Sequence, residues 1–144
     1  MAVINTIFSN LKTKLATITK ENGYATDVNF VGLQPESMEK DIKDVPYIVV
    51  MEQPETPLHY GNTNNRYSTA VTLKLFVRDN VDYYTAINNL IDDVKSLVHS
   101  GIESNLGANC LKLLYIGIED MSLSGQQNIG DARLIIEIIW WDAR

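Results

Sequence analysis

Between Arg66 and Gly101 the spacing of apolar side chains changes from two to three-and-a-half. Val71, Leu73, Leu75 and Val77 alternate with Thr72, Lys74 and Arg78, with Phe76 on the polar side, the signature of a strand with one dry face. Beyond Asp79, Val81, Tyr84, Ile87, Leu90, Ile91, Val94, Leu97 and Val98 recur at steps of three and four and line one face of a helix. Asp79 stands at the expected N-cap with Asp82 three residues on, close to the positive end of the helix dipole. Lys95 and His99 fall in the last turn and Gly101 follows as the stop. At 1.5 Å per residue such a helix is about 27 Å long, enough to lie across several strands.

The rest of the chain divides by the same periods. Val3, Ile4, Ile7, Phe8, Leu11, Leu15 and Ile18 predict an amphipathic helix closed by Asn22-Gly23; its lysines form a solvated outer face. Tyr24 to Val31 alternates as a short strand, Gly32 to Asp44 is polar and reads as a loop, and Val45 to Met51 is a nearly continuous apolar strand whose Pro46 is tolerable near its start. Gln53 to Asn65 carries two prolines, a glycine and three asparagines without an apolar period. Read as a connection, it is far longer than a hairpin needs. The expectation is a surface excursion, or an arm reaching a neighbouring subunit with Leu58, His59 and Tyr60 as its anchor and Arg66 at its base.

After the central helix, Ser100 to Asn109 is a polar connection, Leu111 to Ile118 a strand, and Met121 to Asp131 a second loop. The closing strand, Ala132 to Trp141, is apolar on both faces. Leu134, Ile136, Ile138 and Trp140 fit a core face, while Ile135, Ile139 and Trp141 flank Glu137 on the other. That second face needs a cover, from a helix or from another subunit. The order helix, three strands, helix, two strands, with hairpins at 45–78 and 111–141, predicts an α+β fold: a mostly antiparallel sheet of about five strands with two amphipathic helices on one face. The length of 144 residues favours a single domain, 1–144.

Composition narrows the function. A net charge of −6 argues against a protein that grips nucleic acid by counterion release, but not against one that lets it pass. One cysteine, Cys110, cannot form an internal disulfide and predicts a buried thiol in a reducing setting. No signal peptide pattern is recognisable, and no apolar run reaches the roughly 20 residues of a membrane span. Catalytic material is sparse: His59 lies in the Pro-rich stretch and His99 at a helix end, where it partners the dipole. There is no Cys/His cluster with zinc spacing and no phosphate-cradling glycine loop. Asp92 and Asp93 diverge by about 100° around their helix. Asp120 and Glu137 are the nearest approach to paired acids, with Lys112 as the only lysine in their strands. No cofactor or metal is expected, and an assembly protein is favoured over an enzyme.

The order of these pieces resembles the tail terminator (tail completion) proteins of long-tailed bacteriophages. The likeness is carried by the N-terminal helix with Gly23-Tyr24-Ala25-Thr26-Asp27-Val28, the strand Val45 to Val50, the pair Val71–Val77 and Ala86–Val94, and the closing apolar strand. Trp140-Trp141 falls outside that pattern. The resemblance implies a homo-oligomeric ring, typically a hexamer. The ring would end tube polymerisation, meet the tail-tube protein on one side and a head or neck connector on the other, and pass DNA through its lumen without specific binding. It also implies residence in the virion at the tail–neck junction after assembly in the host cytoplasm, with no membrane. Ring closure needs two different patches per subunit. The expected ones are the strand 132–141, with Ile135, Ile139, Trp140 and Trp141, and the arm 53–65. Another neck or tail adaptor, a small metal-dependent nuclease or hydrolase acting through Asp120 or Glu137, and a non-viral binding domain remain as alternatives.

Overall fold

The computed structural model describes residues 2–33, 46–60, 65–79, 81–124 and 129–142, with the backbone alone described for 52–57, 59, 60, 103, 104 and 124. Helix α1 (Val3–Leu15) is followed by strands β1 (Phe30–Leu33), β2 (Tyr47–Tyr60) and β3 (Asn65–Arg78), helix α2 (Tyr83–Val98), and strands β4 (Cys110–Ser124) and β5 (Ile129–Asp142). The strands form one sheet in the order β1-β2-β3-β5-β4. Only β1 and β2 run parallel; the other pairs are antiparallel, as the hairpin spacing requires.

The inner face of the sheet is the one the alternation predicts. Val71 lies opposite Ile136, Leu73 opposite Leu134 and Leu75 opposite Ala132, all buried. Onto this face pack Ile7, Phe8, Leu11 and Leu15 of α1 and Ile87, Leu90, Ile91, Val94, Leu97 and Val98 of α2, in one hydrophobic cluster. Burying each such side chain contributes about 1.5–3 kcal/mol. The helix α2 comes so close to β5 that a Cβ on Gly130 would lie 3.0 Å from Ile87 Cβ and 3.2 Å from the Tyr83 carbonyl oxygen. Gly130, read from sequence as a loop glycine, is therefore a contact site inside a strand.

Several boundaries move, each for a local reason. Helix α1 stops at Leu15, where i→i+3 bonds (Thr17 N to Lys14 O, Ile18 N to Leu15 O) tighten the chain. Ile18 still reaches the core, and Gly23 (φ 93°) closes a separate 3-10 turn, Lys20–Asn22. Tyr24 to Asn29 is not strand. Its amides bond elsewhere: Tyr24 N to Thr19 O, Val28 N to Ile18 O and Asn29 N to Pro46 O, and Ala25 N to the Asp93 carboxylate at 3.0 Å. Helix α2 begins at Tyr83, with Asp82 as N-cap accepting from Thr85 N at 2.9 Å. Asp79 instead closes the preceding turn by accepting from the amides of Val81 and Asp82. Val81 (94% exposed) and Tyr84 (56%) consequently leave the buried face on which their spacing placed them.

The largest correction concerns Gln53 to Asn65. Strand β2 runs on through Tyr60, so 53–60 is one limb of a long hairpin and not a loop; 61–64 lies outside the described residues. Among the described residues β1 pairs with Tyr47 to Val50 and no strand pairs with that side of β2 from Met51 onward, a position where proline's missing N–H is tolerable. The register irregularity between Glu52 and Glu55 absorbs Pro54, while Pro57 stays opposite Tyr67 with a second irregularity directly after it. Likewise β4 extends to Ser124 and β5 begins at Ile129, so most of the expected loop Met121 to Asp131 is ladder. The expected loop Gly32 to Asp44 gives up Gly32 and Leu33 to β1; 34–45 lies outside the described residues.

Candidate assembly surface

On the outer face of the sheet, the register brings Arg66 opposite Trp141, Ser68 opposite Ile139, Ala70 opposite Glu137 and Thr72 opposite Ile135. Across the next ladder Leu114 lies opposite Glu137. Ile135, Ile139 and Trp141 are half-buried and Arg66 exposed, while Leu58 on the edge of β2 is 52% exposed. For His59 and Tyr60 the backbone is in β2 and the side chains lie outside the description. Trp140 points the other way. It is 4% exposed, its ring stacks on Tyr67 at 4.7 Å, and its Nε1 donates to Thr69 Oγ1 at 3.0 Å. Its place is the core face; only its neighbour Trp141 belongs to the outer one.

The surface that sequence reading missed is β4. At the free edge of the sheet it exposes Leu111, Leu114, Ile116, Ile118 and Leu123. Three register irregularities interrupt its pairing with β5, at Cys110/Lys112, Tyr115/Gly117 and Ile118/Asp120. These leave Leu111, Ile116 and Glu119 without a cross-strand partner and turn them off the ladder. The signal was present in Leu111 to Ile118, where apolar residues do not alternate with polar ones. A run apolar on both faces reads as a covered strand, and sequence does not say which strand takes the edge.

At the other side of the sheet, where α2 begins, lies a polar cleft of about 460 Å³. Its walls include Lys20, Thr26, Asp27, Arg78, Asp79 and Asp82. The acids face their own backbone: Asp27 accepts from Lys20 N at 2.7 Å. Backbone amides of Asp82 and Val81 hold the Asp79 carboxyl below its ordinary pKa, and the Thr85 hydroxyl and amide do the same for Asp82. On the outer face, burial and then the charge of Asp120 push Asp131 upward, against Lys74 and Arg133.

The remaining chemistry is structural. Cys110 is a buried thiol in no disulfide, its Sγ donating to Lys112 O at 3.9 Å, and the exposed His99 meets the Tyr115 ring edge-on at 6.3 Å. Asp120 is paired in register with Arg133. No three His, Cys, Asp or Glu side chains among the described residues group as a metal site, and no helix among them is long and apolar enough to cross a membrane.

No curated protein matches the chain. Among solved structures, a chain from the virion of a native gene transfer agent particle has the same fold, with a TM-score of 0.57 at 9% identity, covering 94% of this chain and 92% of that one. The family model of the bacteriophage tail tube terminator protein matches residues 1–107, from α1 through α2 and stopping short of β4. The chain thus belongs to the bacteriophage tail tube terminator proteins, structural proteins of the virion tail.

Proposed function

We propose that the protein acts through its whole length, 1–144, as the subunit of a ring, a hexamer of identical copies. That ring ends polymerisation of the tail tube and joins the tail to the head or neck. The observation that carries this reading is the apolar surface left uncovered by both helices: the row on β4 and the half-buried Ile135, Ile139 and Trp141 beside it. Such surface on a tail protein marks contacts with copies of itself or with the tube. The outer face with Trp141 and Arg66, and the hairpin edge with Leu58, His59 and Tyr60, are offered to the tail-tube protein or a neighbouring subunit. The charge of −6 suits a lumen that passes DNA without holding it, since phosphate is repelled and no counterions are released by contact. The chemistry asked of the chain is shape and adhesion, with no cofactor. Negative-stain microscopy of purified protein, alone and mixed with tail tubes, tests the reading. Pierced discs, free or capping tube ends, are expected; particles of single-subunit size in both samples refute it.

A further inference from the structure

Strand direction and register make the two open sides of the sheet fit each other. β4 ends the strand order β1-β2-β3-β5-β4 on one side. On the other side β1 pairs with Tyr47 to Val50, and no strand among the described residues pairs with that side of β2 from Met51 to Tyr60. Three antiparallel steps lead from β2 to β4, so the two strands run in opposite directions. A copy rotated about an axis along the strands therefore brings its β2 antiparallel to β4, the sense in which the long strands of this sheet already pair.

The two open stretches also stand at one level. Pro57 pairs with Tyr67, Tyr67 with Trp140 and Trp140 with Cys110, a row that crosses the sheet; Met51, Thr72, Ile135 and Gly117 form another. Residues 51–58 of β2 are thus level with 110–117 of β4. Next to the first row both strands have a residue out of the ladder: Leu58 between Pro57 and His59, and Leu111 between Cys110 and Lys112. These leucines are 52% and 43% exposed. Along the same part of β4, which contains no proline, Leu114 and Ile116 are exposed too. An apolar strand with unpaired backbone on one side is a template for another strand.

We propose that 110–117 of one copy pairs with 51–58 of the next, so that the sheet continues from subunit to subunit. Leu58 of one copy and Leu111 of the other then stand diagonally across the new ladder, within reach of each other. Pro54 and Pro57 lack an N–H and leave that ladder incomplete, so the leucine contact carries part of the adhesion. The same prolines make β2 a poor strand for pairing with its own copy. Two different patches on opposite sides make a heterologous contact, the kind that closes a ring. The proposal rests on the ring reading above and specifies which surfaces make it.

Sedimentation velocity of the full-length protein over a range of concentration, with amide hydrogen exchange of dilute and assembled samples, tests it. The wild type associates, and amides of 51–58 and 110–117 exchange more slowly once assembled; equal exchange in both samples overturns the pairing. Leu58→Glu and Leu111→Lys each weaken association by about tenfold or more, because each puts a charge into an apolar contact. Combined in one chain they restore it to within about threefold of wild type, as opposite charges then meet, whereas Leu58→Glu with Leu111→Glu does not. Both side chains are exposed, so unchanged urea midpoints in dilute samples check that the variants fold. Loss of association in Leu111→Lys but not in Leu58→Glu means that two β4 strands pair about a two-fold axis, and overturns the head-to-tail contact. Oligomers untouched by every variant overturn it as well and leave the ring standing. Protein that stays monomeric at every concentration and on tail tubes overturns both.

Discussion

Trp140 separates a core role from an interface role by measurement. In Trp140→Phe the stack on Tyr67 is partly kept, but the indole ring loses atoms from a site only 4% exposed, at a cost of about 1–2 kcal/mol. Thr69 is fully buried and its Oγ1 loses the donor held at 3.0 Å, adding about 1–2 kcal/mol for an orphaned polar group. The sum, about 2–4 kcal/mol, corresponds to a melting temperature lower by about 6–12 °C for a chain of this size. Thr69→Val orphans the indole N–H instead and costs about 1–2 kcal/mol. The double variant removes both partners, so it is less destabilised than the two losses added, by about 1 kcal/mol. Urea denaturation at fixed protein concentration, followed by far-UV circular dichroism, measures all four proteins; fixed concentration matters because self-association also shifts apparent stability. If Trp140→Phe melts like the wild type and changes only the state of association, the inward placement and the reasoning built on it are wrong.

Three further outcomes are expected. Asp93→Ala removes the acceptor for Ala25 N and is destabilised by about 1–3 kcal/mol, whereas Asp93→Asn keeps an acceptor there and loses less, because the second oxygen has no partner to give up; equal losses in thermal melts refute this. Gly130→Ala forces a methyl against Ile87 and the Tyr83 carbonyl and costs about 1–3 kcal/mol; an unchanged urea midpoint would mean that α2 moves aside freely. Asp79 and Asp82 have folded pKa values below 3.8, so the stability they contribute is present above that value and fades as pH falls through the lower folded ones. Asp131 has the opposite sign: Asp131→Asn should raise the melting temperature near neutral pH, and the gain should vanish in acid; a gain that persists in acid contradicts that assignment.

What could be read from the chain was whatever depends on spacing alone. The alternation of Val71 to Val77 fixed the inner face of β3, the three-and-four stepping of Ile87 to Val98 fixed the buried face of α2, and Leu134, Ile136, Ile138 and Trp140 fell inward as their parity requires. Other features depended on partners distant in sequence. Pro54 and Pro57 look like loop residues until β2 proves to run on through them, with no strand among the described residues paired to its other side there. Tyr24 to Asn29 alternates like a strand, yet Asp93, Ile18 and Pro46 engage several of its backbone amides. Leu111 to Ile118 is apolar like a central strand, and only the sheet order puts it at the rim. Periodicity records which side chains share a face, because it follows from backbone geometry within one element. Edge, cover and cleft arise from how elements are arranged, and that arrangement was decided by the packing of one large apolar cluster.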